Sequence, residues 1–242
     1  MSSRSRLAAV ALASLLAGVA GTLVVSFTNP FAPRVRTTAQ TDSDADGTIR
    51  ETFTFHAPDD GIAATHDGHP SKPVKAFPAG IGLLNDPNLR AGFVLLAKAR
   101  NRDGEVVGFA SEMEEVAPQS NIMQGRMQML STWTLELPGR GTIFMYETED
   151  ASEFAKKVVV PALALGKTWD QPWTFTTTTG PRPDGRGTIV GGTGEFEGIT
   201  GSFVEVTHLK RFTPDGQLAL TMELQLAYRK AETAATGSRS EL

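Results

Sequence analysis

The chain has 242 residues, of which 40% are hydrophobic and 21% are charged, so it can bury a core and still present a charged surface. Its net charge is −4, from 23 basic and 27 acidic residues mixed along the chain, which argues against the basic face that nucleic acid binding needs. The absence of cysteine excludes disulfides, thiolate nucleophiles and cysteine-ligated metal centres.

The N-terminus combines a basic start with a long uncharged segment. Arg4 and Arg6 precede Leu7 to Phe27, a stretch about as long as the roughly 20 residues that a helix needs to cross a bilayer. We interpret residues 1–28 as a signal peptide or, preferably, an uncleaved signal-anchor helix that places the rest of the chain outside the cytoplasm. The expected location is extracytoplasmic, either membrane-anchored or secreted.

Composition divides the remainder into three parts. Residues 29–50 are rich in Pro, Thr, Asp and Ala and predict a disordered linker. Residues 51–229 predict the folded domain, and residues 230–242 predict a flexible tail.

The folded domain reads as strands joined by tight turns. Asp103-Gly104 and Asp215-Gly216 are turn signals, because glycine supplies the positive φ that a tight hairpin turn requires. The three predicted hairpins join Phe93–Ala99 to Glu105–Val116, Met127–Leu137 to Thr142–Thr148, and Phe203–Phe212 to Gln217–Tyr228. Shorter strands are predicted at Glu51–His56, Trp173–Thr179 and Gly187–Val190, and the stretch 149–170 is left open between a short helix and an insertion.

The last predicted strand indicates how these strands assemble. Leu218, Leu220, Met222, Leu224 and Leu226 alternate with smaller or polar residues, so one face of the strand is apolar. Eight or nine strands with such faces form a sandwich or close into a barrel, and closure removes the exposed edges that favour aggregation.

A glycine-rich run from Gly187 to Gly201 bears on the choice between a sandwich and a barrel. Its sequence, GTIVGGTGEFEGITG, resembles the late-barrel signature of the family that includes plant allene oxide cyclases and dirigent proteins: a strand, GGTG or GGSG, then F-x-G-x-x-G. The glycines predict a sharp, closely packed corner between two strands. The run is not a phosphate-binding loop, because it lacks the Lys-Ser/Thr of a P-loop and precedes a strand where such a loop precedes a helix.

The resemblance implies an all-β fold, an eight-stranded antiparallel up-and-down barrel, here preceded by the signal-anchor helix. It also implies a sheltered hydrophobic small-molecule ligand, no cofactor, and a homotrimer. Members of the family cyclise or isomerise their ligand, or steer a coupling between radicals made elsewhere. The stretch Glu51–Asp60 lacks the E-x-N-type motif of the plant cyclases, so that particular activity is not expected.

The candidate catalytic and substrate-binding residues lie in the first two predicted hairpins. Glu112 and Glu114 share one face of their strand, and two carboxyl groups in a dry cavity would hold one pKa high, as a general acid or base needs; the alternative is a solvated outer face. Trp133, Tyr146 and Phe144 are the candidate substrate-binding residues, and the alternative for them is ordinary core packing.

Other chemistries find less support. His56, His66 and His69 lie near three aspartates, but their spacing matches no ligand motif and we predict no metal. There is no G-x-S-x-G nucleophile elbow. The leading hypothesis is a barrel that binds a hydrophobic small molecule and cyclises or isomerises it without a cofactor. The alternatives are a non-enzymatic steering or ligand-binding protein and a structural scaffold.

Overall fold

The computed structural model describes residues 42–66, 69–70 and 92–230. The predicted signal-anchor helix, most of the predicted linker and nearly all of the predicted tail lie outside the described residues. Within those residues, no helix has both the length and the apolar character needed to cross a membrane.

The described chain is built mainly of strands. Their bounds are β1 Asp42–Ser43, β2 Ile49–Ala57, β3 Gly61–His66, β4 His69–Pro70, β5 Gly92–Arg100, β6 Val106–Val116, β7 Gln128–Leu137, β8 Gly141–Asp150, β9 Trp173–Phe175, β10 Thr178–Gly180, β11 Gly187–Gly192, β12 Thr200–Phe212 and β13 Leu218–Arg229. The three predicted hairpins are confirmed as β5–β6, β7–β8 and β12–β13. Pairing begins before residue 51, because Ile49 and Arg50 belong to β2.

Eight strands close into an antiparallel up-and-down barrel, as the sequence predicted. Each pairs with the next along the chain in the order β2, β5, β6, β7, β8, β11, β12 and β13, and β13 pairs with β2 over nine residues. The closing contact between β2 and β5 joins Thr54 to Arg100.

The first strand of the barrel is interrupted. Both β2 and β3 run antiparallel to β5, so they are successive pieces of one strand separated by residues 58–60. Asp60 holds this interruption in place: its carboxylate is fully buried, accepts two hydrogen bonds from Arg100 and lies 3.3 Å from the ammonium group of Lys98. Burial alone would raise the pKa of Asp60, but these partners outweigh it and lower the pKa.

The wall between β8 and β12 is completed by three short strands. β11 fills it at one end, while β10 pairs with β8 and β9 pairs with β12 at the other end. The stretch left unassigned from sequence begins with the end of β8 and continues as a helical segment, Ser152–Leu165, with a π-helical stretch at Ala155–Val159. Phe154 of this segment stacks on Phe175 of β9 at 5.7 Å between ring centroids, which fastens the segment to the barrel.

The glycine run forms the predicted corner between β11 and β12. Gly194 has φ +62, and a Cβ there would lie 2.5 Å from the Arg140 carbonyl oxygen. At Gly192 a Cβ would lie 2.3 Å from the Thr142 carbonyl oxygen, and Thr193 N–H donates to that oxygen at 2.9 Å. The glycines therefore let the corner lie directly against the start of β8.

The barrel interior, which we call the lumen, has two chemically different halves. The apolar half is filled by side chains that include Phe53, Phe55, Leu135, Leu137, Ile143, Ile189, Phe203, Leu224, Leu226 and Tyr228. The other half holds acidic and hydroxyl side chains from β6, β7, β8, β10 and β12. Trp133 marks the boundary, since its ring lies 5.9 Å from that of Phe55 while its indole N–H donates to Glu147.

Candidate functional site

Five glutamates converge in the acidic half of the lumen. We call Glu112, Glu114, Glu147, Glu149 and Glu205 the carboxyl cluster. They come from three strands, β6, β8 and β12, and the two-residue period of a strand places each on the inward face. Four of them are almost completely buried, and Glu114 is half-buried. The three strands therefore bring together five carboxyl groups from distant parts of the sequence.

Hydroxyl and indole groups hold parts of the cluster in place. The Ser131 hydroxyl donates to Glu149, and the Trp133 indole N–H donates to Glu147 Oε1 at 3.2 Å. The Thr207 hydroxyl donates to Glu205 Oε1 at 3.2 Å. These contacts fix the positions of three of the five carboxyl groups.

Three carboxyl oxygens in the cluster are buried without a hydrogen-bond partner in the described structure: Glu112 Oε1, Glu147 Oε2 and Glu205 Oε2. The ion pairs recorded for the described residues all lie elsewhere in the protein. A buried polar atom without a partner costs about 1–3 kcal/mol, so this arrangement is unfavourable for folding alone.

Burial is the main influence on how the cluster ionises. It raises the pKa of Glu112 and of Glu205 well above the ordinary value, and repulsion from the neighbouring carboxylates raises them further. Burial together with the charge of Glu149 raises the pKa of Glu114 and of Glu147 to about 8. At neutral pH most of these groups therefore carry a proton.

Within the cluster, Glu112 and Glu114 form a proton-sharing pair. A hydrogen bond with Glu112 stabilises the charged form of Glu114, which partly offsets burial. Glu112 lies deeper in the lumen than Glu114, and burial raises the pKa of both carboxyl groups. When a neutral carboxyl group lies beside a carboxylate, the neutral group can donate a proton to a substrate and the carboxylate can accept one from it.

The sequence-predicted site residues are only partly brought together. Glu112 and Glu114 face the lumen, and Trp133 lies directly opposite Glu112 in the β6–β7 ladder. Tyr146 and Phe144 lie on the outer face of β8, where they pair with Thr132 and Thr134, and Phe144 is 40% exposed. Of the three predicted substrate-binding residues, Trp133 alone therefore faces the lumen, because the register places Tyr146 and Phe144 on the opposite face of the sheet.

Sequence reasoning missed three members of the cluster, namely Glu147, Glu149 and Glu205. On β8 the alternation of the sequence could have revealed Glu147, because it shares one face of the strand with the apolar residues Ile143 and Met145. On β12 the signal is ambiguous, since Val204 and Val206 make the outer face as apolar as the inner one. These side chains meet because strands distant in the sequence pair with one another, and no local sequence pattern reveals that pairing.

Of the three histidines in the histidine-rich stretch, the structure describes the side chain of His56 alone. His56 Nδ1 lies 3.0 Å from the Thr221 hydroxyl, and Asp60 is engaged by Arg100 and Lys98. In the carboxyl cluster, by contrast, one oxygen from each of Glu112, Glu149 and Glu205 lies within 4.8 Å of the other two. At this spacing three negative charges strongly disfavour one another, and a single cationic group would be attracted to all of them.

A second buried network lies near the apolar end of the lumen and is fully compensated. Arg140 lies 2.9 Å from Glu51 and 3.1 Å from Glu195, and the Tyr228 hydroxyl donates to Glu51 at 3.0 Å. Burial opposes the charge of Arg140, but hydrogen bonds to these carboxylates outweigh it and raise the pKa of Arg140. This network joins the β7–β8 turn to β2 and the glycine corner, a structural role.

Comparisons with known proteins found no family model that matches the chain and no curated protein that matches it. Among solved structures, the chain is similar to the Diels–Alderase AbmU from Streptomyces koyangensis, with a TM-score of 0.36 and 14% identity, over 77% of this chain and 65% of that one. The chain thus spans slightly less than two thirds of that enzyme.

Two dirigent proteins are also similar to the chain. The pterocarpan synthase dirigent protein PsPTS1 matches with a TM-score of 0.38 and 14% identity, over 76% of this chain and 96% of that one. The pterocarpan synthase dirigent protein GePTS1 matches with a TM-score of 0.38 and 15% identity, over 76% of this chain and 87% of that one.

Proposed function

We propose that the barrel binds a small molecule against the apolar walls of its lumen and isomerises or cyclises it by proton transfer, without a cofactor. The observation that carries the proposal is the proton-sharing pair, Glu112 and Glu114, set in a lumen that excludes water from Glu112. The predicted N-terminal anchor would place this activity outside the cytoplasm, near apolar molecules dissolved in a membrane.

Each member of the pair takes the role that its surroundings favour. Glu114, in its ionised form, removes a proton from the substrate, while protonated Glu112 donates one to a different atom. The hydrogen bond between them then returns the proton from Glu114 to Glu112. The cycle consumes no proton and no electron, as an isomerisation or cyclisation requires. With a pKa of about 8, roughly a tenth of Glu114 is ionised at pH 7, enough for a general base.

Confinement supplies the rest of the catalysis. A flexible ligand held in the lumen beside the carboxyl cluster would lose the entropy that otherwise opposes ring closure. A non-enzymatic barrel would need the same lumen but would not need the proton-sharing pair.

Deuterium exchange tests the proposal on the natural ligand. Small molecules that copurify with the full chain are extracted, identified by mass spectrometry, and returned to fresh protein in deuterated water. We expect the wild-type protein to place deuterium in the ligand or in its isomer, and Glu112→Gln and Glu114→Gln to lose this exchange while still binding the ligand.

The control is Glu115→Gln, which changes an exposed glutamate on the outward face of the same strand and should leave the exchange unchanged. Retained ligand with no exchange in the wild-type protein would instead indicate steering or simple binding. Exchange that survives in both pair variants would show that other groups move the proton.

A further inference from the structure

The helical segment that follows β8 has an apolar surface on both sides at its C-terminal end. Its inner face consists of small or branched apolar residues that are buried: Ala155, Val158 and Ala162. Residues 159–165, the last part of the segment, contain no polar side chain. Leu163 and Leu165, which we call the apolar tip, are nevertheless 56% and 65% exposed. The packed inner face fixes the segment, and the apolar tip remains outside it.

The surface next to the apolar tip is basic. Lys156 and Lys157 precede the tip and Lys167 follows it, and the sequence has no acidic residue between Glu153 and Asp170. Lys156 and Lys157 lie 3.5 Å and 2.9 Å from Glu153, but all three side chains are more than half exposed, where an ion pair contributes little. This surface is therefore positive, although the whole chain has a net charge of −4.

Two half-buried tryptophans lie beside the lysines. The rings of Trp169 and Trp173 are 5.7 Å apart between centroids, and the ammonium group of Lys157 lies 5.1 Å from the Trp173 ring. Tryptophan is enriched where a protein meets the headgroup region of a bilayer, because its ring is apolar and its indole N–H is polar. Exposed leucines with lysines and tryptophan around them are typical of a helix that lies in a membrane surface.

We propose that the apolar tip, together with Lys156, Lys157, Lys167 and Trp169, docks on the surface of a membrane that contains anionic lipids. The leucines would enter the acyl boundary, and the lysines would bind the headgroups. The inference does not rest on the proposed function. It adds to it, since the segment leaves β8 just after Glu149, so docking would bring the acidic half of the lumen close to the bilayer.

A protein partner could also cover exposed leucines, but the charges favour a lipid surface. Lysines on both sides of the tip, with no acidic side chain among them in the sequence, complement a surface that is negative throughout. Lysine is depleted in protein–protein interfaces, where apolar and aromatic side chains form the centre.

A fluorophore attached at one site can report docking, because the chain contains no cysteine of its own. Leu165→Cys places an environment-sensitive dye in the apolar tip. Val190→Cys, at a position that is 57% exposed on β11, is the matched control. The full chain carrying either dye is combined with phosphatidylcholine vesicles, with or without phosphatidylglycerol, and quenching by spin-labelled lipids is recorded.

We expect the dye at position 165 to shift its emission to shorter wavelength on vesicles that contain phosphatidylglycerol. Spin-labelled lipids should quench it several-fold more than the dye at position 190, and added salt should reduce the difference by screening the lysines. Attachment through the predicted N-terminal anchor alone would leave both dyes in water, so the comparison isolates the docking surface.

Charge variants test the lysines separately. Replacing all three by glutamine, as Lys156→Gln, Lys157→Gln and Lys167→Gln, should remove the preference of the position-165 dye for anionic vesicles. Lys230→Gln, which changes an exposed lysine after β13, should leave that preference unchanged. Far-ultraviolet circular dichroism confirms that each variant is folded.

Three results would overturn the inference. Equal quenching of the two dyes would mean that the tip does not enter the bilayer. Equal quenching of the position-165 dye on neutral and anionic vesicles would remove the role of the lysines. A shift that grows with protein concentration without lipid would mean that the tip docks on a second copy of the chain. None of these results affects deuterium exchange into the ligand, so the proposed function would stand.

Discussion

Removing one carboxylate from the cluster should change how stability depends on pH, and Glu147→Gln is the sharpest case. Glu147 is fully buried, and its pKa rises from 4.5 to about 8 in the folded protein. A raised carboxyl pKa means that the folded state binds more protons than the unfolded state, so the free energy of unfolding falls as pH rises from the unfolded pKa toward the folded one.

The size of the effect follows from those two values. At pH 8 the folded group would cost at most about 4 kcal/mol relative to the unfolded chain, and at pH 5 less than about 1 kcal/mol. Part of this cost is repulsion shared with Glu149, so we expect the variant to recover about 2–3 kcal/mol between the two pH values. Glutamine keeps the carbonyl oxygen that accepts the Trp133 indole N–H.

Urea unfolding, followed by tryptophan fluorescence from about pH 5 to pH 9, measures the effect. Wild-type protein should lose stability steadily across this range, and Glu147→Gln should lose distinctly less. Asp60 does not interfere, because its pKa is lowered and its contribution is lost only in more acidic solution. The exposed Glu115→Gln variant should follow wild type. Parallel curves for wild type and Glu147→Gln would refute the reasoning, since they would mean that Glu147 is ionised at all these pH values.

Two further predictions concern the compensated parts of the barrel. Arg140→Met should destabilise the protein by about 3–5 kcal/mol, because it leaves Glu51 buried without its charge partner; urea unfolding at pH 7 measures this, and a loss below about 1 kcal/mol would contradict it. Gly141→Ala should prevent folding, because its Cβ would lie 2.0 Å from the Thr193 carbonyl oxygen, whereas Gly104→Ala, also at positive φ but in open space, should cost only about 1 kcal/mol. Comparable unfolding midpoints for the two variants would show that the corner can move aside.

The sequence was sufficient for the hairpins because their signals are local, whereas the choice of a barrel came from the resemblance of the glycine run. Gly104 and Gly216 both take positive φ in the turns where Asp-Gly predicted them, and the alternation that ends at Leu224 and Leu226 sets the inward face of β13. The interruption around Asp60 was not foreseen, since it depends on Lys98 and Arg100 from a strand about 40 residues away. The helical stretch after β8 was left open because Pro161 within it favours no single state.

The site was less predictable because it depends on register between strands. Glu112 and Glu114 could be paired from their spacing alone, since both lie on β6. Whether they face the lumen or solvent is set by the whole barrel. A shift of one residue exchanges the two faces of a strand. On β8, Tyr146, which was predicted to bind the substrate, lies on the outer face, and Glu147 lies on the inner face.

The contrast between the buried charges bears on why the cluster exists. Glu51 and Asp60 are neutralised by arginine or lysine, so these buried acids are compatible with a stable barrel. The carboxyl cluster instead lowers stability as pH rises, although apolar side chains of similar volume at the same positions would extend the core that already fills the other half of the lumen. Packing therefore gives no reason for five uncompensated glutamates. Proton transfer does, because it needs carboxyl groups whose charge the protein itself leaves without a cationic partner.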